Sequence, residues 1–162
     1  MPMELKGSCH CGAVRFKLQS STPVPYQLCL CSICRKVGGV GGSINLGGHA
    51  KTLEVEGKEH VSVYNAVFDR DTPKERRASS QRNFCSKCSS MLWLWDETWP
   101  DLIHPFASAI DTELKPPKVM TCLLTNSKPE YVRLPEGEKK VYKKYPSLSI
   151  EEWHKENGEF VE

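Results

Sequence analysis

The chain has 162 residues, 39% of them hydrophobic and 26% charged, the proportions of one ordinary globular domain. Lys plus Arg total 22 against 20 Asp plus Glu, a net charge of +2 with a pI near 8.1, too little positive charge for a nucleic-acid partner. No apolar run reaches the ~18 residues of a membrane-spanning helix, and the opening MPMELKGSCHCG lacks the apolar core of a secretory signal; the expectation is a cytoplasmic protein with no membrane partner.

Taken in order, residues 13–18 (AVRFKL) alternate, with Val14, Phe16 and Leu18 on one face and Arg15 and Lys17 on the other. That is the signature of a half-buried strand. Residues 19–28 hold Pro23 and Pro25 and read as a turn into a second extended piece. The stretch from Gly38 to Gly48 carries six glycines in eleven residues, a density that serves close approach to a ligand or simply loops. It lacks the phosphate-cradling G-x-x-x-x-G-K-[ST] pattern.

Residues 52–56 and 60–68 read as strands around a turn at Gly57. Residues 69–82 (DRDTPKERRASSQR) hold five basic and three acidic side chains around Pro73. They are predicted to be a solvated loop, the other reading being that its arginines face an anionic ligand. MLWLW at 91–95 is apolar on both faces, as in a central strand. Residues 103–110 and 118–124 follow as strands, with Pro105 assigning the first to an edge or a bulge.

From about residue 126 the chain is polar and interrupted by Pro129, Pro135 and Pro146, with one helical signal at 147–158. Ser147 or Ser149 is its N-cap, Glu151 and Glu152 suit its first turn, and Gly158 its end. The domain reading is 1–125 as the principal unit and 126–162 as an extension packed on it.

Seven of the eight cysteines form three clusters, Cys9-x-Cys11, Cys29-x-Cys31-x-x-Cys34 and Cys85-x-x-Cys88. In a reducing compartment such spacing points to metal or catalysis rather than to disulfides. A CxC pair in extended chain turns both thiolates to one side, and a CxxC turn folds back to do the same. Zinc takes four ligands in a tetrahedron, and no cluster supplies four, so two must meet.

The most natural division pairs Cys9 and Cys11 with Cys85 and Cys88. That leaves Cys29, Cys31 and Cys34 as a three-ligand set with one open position, the mark of a catalytic rather than a structural zinc. A swap of partner clusters, a single shared site, and closure of the triad by a histidine or by Cys122 remain alternatives. His10, His49, His60, His104 and His154 are scattered and read as surface or packed side chains, and Cys122 as a buried thiol. Trp93, Trp95 and Trp99 read as core rather than as a substrate pocket.

GSCHCGAVRF (7–16), CLCSICRKVGG (29–39) and RNFCSKC (82–88), with AIDTEL (109–114) beyond them, resemble the glutathione-dependent formaldehyde-activating enzyme family, which includes a centromere-associated vertebrate branch. The resemblance implies a mainly β, zinc-ribbon-like fold shared with a small guanine-nucleotide-exchange-type chaperone; with the helical signal at 147–158, the expected architecture is a single-domain β-sandwich of antiparallel sheets with a short C-terminal helix. It also implies two zinc ions, a structural one held by Cys9, Cys11, Cys85 and Cys88 and a reactive one held by Cys29, Cys31 and Cys34.

Two positions depart from the family pattern. Leu30 stands where a histidine is common, which bears on the surroundings of the reactive zinc. Ser89 stands where a glycine usually follows the last cysteine, so the knuckle is expected to close in another way.

The function expected from these residues is a zinc-dependent carbon–sulfur lyase or synthase acting on glutathione and an electrophile such as an aldehyde, or on a glutathione adduct. Arg35, Lys36, Arg70 and the backbone N–H groups near Gly38 and Gly39 are the candidate contacts for a glutathione carboxylate. The alternative is a zinc module without catalysis that recruits a protein partner through the basic loop or the lysines at 139–144.

Overall fold

The computed structural model describes residues 1–162. In chain order the strands are β1 (Met3–Ser8), β2 (Arg15–Ser20), β3 (Gln27–Cys29), β4 (Ser43–Ile44), β5 (Gly48–His49) and β6 (Glu54–Glu56). They continue as β7 (Val61–Phe68), β8 (Arg76–Cys85), β9 (Met91–Trp95), β10 (Leu102–Pro105), β11 (Met120–Leu123) and β12 (Lys139–Val141). Two short helices, α1 (Ser32–Gly38) and α2 (Ile150–Glu156), complete the chain. The protein is mainly β, as its alternating segments require.

Three sheets result, in the orders β1-β2-β6, β5-β10-β9-β8-β7 and β12-β11-β3-β4. The first two are antiparallel throughout. In the third, β11 lies parallel to both β3 and β12. Phe16 and Leu18 of β2 meet Leu92, Trp93 and Ile103 in the principal core, where the rings of Phe16 and Trp93 pack edge to face at 5.2 Å between centroids.

The strand readings at 13–18, 52–56, 60–68, 91–95 and 118–124 are met to within a few residues. Three others are corrected. The loop reading of 69–82 holds only to Glu75, because Arg76 begins β8. The composition misleads there because β8 is polar where it leaves the molecule, at Arg76 and Arg77, and buries polar side chains, Arg82 and Asn83, where it enters. The strand expected at 103–110 ends at Pro105 and passes into a 3₁₀ turn at Ala107–Ala109. Nor does β10 lie at an edge: its β5 ladder stops at Ile103, so Pro105 needs no N–H on that side and pairs with Trp93 on the other.

The tail is held by packing. Ser149 caps α2 in a capping box with Glu152, and the ring of Trp153 stacks on Tyr26 at 3.8 Å. His154 is fully buried. Its Nε2 accepts the Val24 N–H at 3.0 Å and its Nδ1 lies 2.7 Å from the Ile150 carbonyl, so Nδ1 carries the proton and the ring is neutral.

Burial holds the His154 pKa below its ordinary value, partly opposed by the Ile150 hydrogen bond. The unfolded chain therefore takes up a proton near pH 6.5 that the folded chain refuses. The stabilisation is complete above that pH and is lost as pH falls toward the depressed folded value. His154→Ala is expected to cost about 2–3 kcal/mol at pH 7.5, and its Tm should fall less between pH 6.5 and 5.5 than that of the unsubstituted protein. Equal slopes in thermal denaturation would remove His154 as the titrating group.

Candidate metal centres

Each cysteine cluster sits where a strand stops. After β1 the chain turns tightly: the Cys9 N–H donates to the Val14 carbonyl at 3.0 Å, the Gly12 N–H donates to the Cys9 carbonyl at 3.1 Å, and Gly12 takes φ 76. Cys85 ends β8, where its N–H donates to the Ser90 carbonyl at 2.9 Å and its own carbonyl accepts the Ser89 N–H at 2.8 Å, closing a knuckle. The His10 N–H donates to Ser90 Oγ at 3.0 Å and joins the two turns.

The sulfurs of Cys9, Cys11, Cys85 and Cys88 consequently lie within 4.8 Å of one another. Cys9 Sγ and Cys11 Sγ are 3.6 Å apart, and Cys11 Sγ and Cys85 Sγ 3.9 Å. Thiolates at ~2.3 Å from a tetrahedral zinc are about 3.8 Å apart, so this set fits such an ion. Ser90 Oγ lies 3.2 Å from Cys88 Sγ, and its hydrogen bond, with the Cys11 N–H, draws the Cys88 pKa down to about 5.

The second group is local. Cys29 ends β3, Cys31 is the N-cap of α1, and Cys34 lies in its first turn. Their sulfurs also lie within 4.8 Å of one another, and no fourth Cys, His, Asp or Glu joins them. The Cys34 N–H donates to Cys31 Sγ at 3.3 Å. Thiol hydrogen bonds from Cys29 and Cys34 pull Cys31 far below the usual thiol range, while sharing its proton with Cys31 pushes Cys29 far above it. Three thiolates held this close repel one another and require a cation.

Cys122 is completely buried in a small second core with Leu30 and Val132, and its sulfur joins neither group. The same core takes the Leu30 side chain, because alternation through Cys29-Leu30-Cys31 turns it to the opposite side from the sulfurs. The departure at Leu30 therefore alters the back of the triad rather than its open face.

The glycine-rich stretch serves close approach of chain to chain. Gly42 has φ +82, and a Cβ there would lie 2.2 Å from the Cys29 carbonyl oxygen, so the return to β4 passes directly beneath the triad. The Gly39 N–H donates to the Arg35 carbonyl at 3.0 Å and closes α1. Gly38 ends α1, packed against Ser43. The Arg35 guanidinium is engaged as well, donating from Nε to the Leu30 carbonyl at 3.0 Å and from Nη2 to the Ser127 carbonyl at 2.8 Å. Arg70 lies in a neighbouring cleft beside Asp71, 3.3 Å away.

The three triad cysteines line a cavity of about 630 Å³. Phe68, Leu94 and Leu123 form apolar parts of its wall, and Leu148 and Ile150 reach it from the tail. Asn45 and Arg82 also line it, and the composition of their segments, a glycine-rich loop and a basic run, conceals them. The one sequence signal was the alternative reading in which the arginines of 69–82 face an anion.

Ser89 takes φ 66, the left-handed conformation that favours glycine. The knuckle thus closes in the glycine-like geometry despite the serine. Ser89→Gly should relieve that strain and raise stability by about 0.5–1 kcal/mol, ~1–4 °C in Tm. A lower Tm in the metal-loaded variant would mean that the serine side chain holds the turn.

The sequence model of the glutathione-dependent formaldehyde-activating enzyme family matches residues 4–126. A Halomonas elongata protein provisionally named as a glutathione-dependent formaldehyde-activating enzyme is 48% identical over 158 residues, 96% of this chain and 98% of its own. A crystal structure of a Rhodobacter sphaeroides protein superposes with a TM-score of 0.51 at 21% identity, over 69% of this chain and 99% of that one, a likeness of fold.

Proposed function

Given that the chain belongs to the glutathione-dependent formaldehyde-activating enzyme family, we propose that it is a carbon–sulfur lyase. It makes or breaks the bond between the sulfur of glutathione and an electrophilic carbon such as that of an aldehyde. The observation that carries this reading is the incomplete ligand set: Cys29, Cys31 and Cys34 converge without a fourth protein ligand on the wall of a cavity large enough for a peptide-sized thiol. Zinc suits an all-sulfur donor set. Held by these three residues, it would supply the Lewis acidity that keeps a substrate thiol ionised near neutral pH. A second zinc on Cys9, Cys11, Cys85 and Cys88 has a purely structural role.

The chain's own part is positioning. The N-cap at Cys31 and the first turn of α1 hold the three sulfurs together before any ligand arrives. Phe68, Leu94 and Leu123 exclude water from the reacting carbon. In the forward direction the glutathione sulfur bonds to the aldehyde carbon, and the carbonyl oxygen takes up the proton that the thiol has lost. The reverse returns the proton and breaks the same bond. Residues 1–125 carry all of this, with 126–162 as an extension that contributes wall. The free thiols suit a cytoplasmic setting poised by glutathione.

Cobalt substitution tests the reading. The protein should bind two cobalt ions per chain with thiolate-to-metal bands, and glutathione should shift the bands of one ion, saturating at one equivalent. Bands that stay fixed with both ions bound would sink it. Cys31→Ser should remain folded, lose that response, and slow glutathione–formaldehyde interconversion, followed by exchange NMR, by more than the ~10–100-fold typical of losing an outer partner. Cys85→Ser removes a fully buried ligand and should instead destabilise the chain by more than about 3 kcal/mol.

A further inference from the structure

The chain buries one cation without a counter-ion. Arg82 is 8% exposed, and its Nε and Nη1 are shielded from water and have no hydrogen-bond partner. None of the ion pairs in the structure includes it. The Nδ2 of Asn45 is likewise buried and unpartnered. These donors come from different parts of the chain, Arg82 from β8 opposite Leu94 and Asn45 from the residue after β4. Both line the cavity that holds Cys29, Cys31 and Cys34.

A buried guanidinium with no partner is costly, and folded proteins keep one where a complementary group arrives. Nearby oxygens are committed or remote. Asp96, buried behind β8, accepts from Ser80 Oγ at 2.6 Å, Ser79 Oγ at 2.8 Å and Thr98 Oγ1 at 2.8 Å. Asp69 lines the same cavity but makes no ion pair with Arg82. The sulfurs of the triad line the same space and, on the reading of the triad as a metal centre, would be engaged by the ion.

We propose that Arg82 and Asn45 form a carboxylate-binding subsite beside the three-cysteine centre, and that the substrates of this site are thiols or thiol adducts bearing a carboxylate. The inference rests on the reading of the triad as the thiol-binding centre and adds the group that selects among thiols. A planar guanidinium offers a carboxylate two parallel N–H donors, and the Asn45 amide adds a third from the side. Charge recognition at this point places the substrate so that its sulfur reaches the triad.

The test compares glutathione, its diethyl ester with both carboxylates blocked, and 2-mercaptoethanol, titrated into the cobalt-loaded protein and followed by the thiolate bands and by calorimetry. Glutathione should bind at least 10-fold more tightly than its diethyl ester. Arg82→Gln should weaken glutathione about 30-fold or more while changing the ester less than 3-fold, and Asn45→Ala should act in the same direction more weakly. The ligand-free Tm of Arg82→Gln should be unchanged or raised, since an orphaned buried charge has gone; a marked fall would assign Arg82 a structural role and overturn the proposal. Equal binding of glutathione and its diethyl ester to the unsubstituted protein, which requires no variant to fold, also overturns it while leaving the thiol-binding reading intact. If neither glutathione nor 2-mercaptoethanol moves the bands, that reading falls and the subsite falls with it.

Discussion

Four sulfurs brought to one point from two distant turns are the constraint on which the structure depends. Cys11 and Cys85 are separated by 74 positions, and closing so long a loop costs entropy that local contacts between the turns do not offset. Thiolates at these separations also repel one another. The binding free energy of a dication among the sulfurs would offset both, which is why metal binding and folding are one equilibrium in centres of this kind. Around this closure the ends of β1 and β8 are fixed, and the sheets they belong to share the Phe16–Trp93 core.

The second group answers to a different physics. Its cysteines fall within six consecutive residues, so the loop between β3 and α1 assembles them with little entropic cost. What this local assembly lacks is a fourth ligand. Everything on the open side comes from elsewhere in the fold: Asn45 after β4, Arg82 and Leu94 from the five-stranded sheet, Leu123 from β11, Leu148 and Ile150 from the tail. The four-cysteine set thus ties two turns of the chain together, while the three-cysteine set leaves one side of its sulfurs free of protein ligands.

The donors available to an anion show how tertiary contacts reassign residues. Arg35 stands next to Cys34 in sequence, yet its guanidinium is spent on the Leu30 and Ser127 carbonyls, bracing α1 against the chain beyond β11. Arg82 belongs to a basic run whose composition reads as surface. The pairing of β8 with both β7 and β9 carries it inside, where it has no partner. At Ser89 the local preference was overridden in the other direction: the requirement that Cys85 and Cys88 face one point imposes a left-handed residue whatever side chain stands there.

The sequence by itself determined the mainly β character, through alternation at β2, the strand-like segment of β7 and the apolar run of β9. It marked seven cysteines in three clusters as metal ligands and made a four-plus-three division the most natural one, with a swap of partner clusters left open until the fold brought Cys9, Cys11, Cys85 and Cys88 together. It also placed the C-terminal helix and narrowed its N-cap to Ser147 or Ser149, of which the structure uses Ser149. These features are local, set by side-chain period, ligand spacing and backbone N–H satisfaction. Only the tertiary structure decided that β8 begins at Arg76, that β11 lies parallel to β3 and β12, that Leu30 points away from the triad, and that Arg82 and Asn45 share its cavity. Each of these depends on which strands lie side by side, and that is settled by burial summed over the whole chain, a quantity no single segment contains.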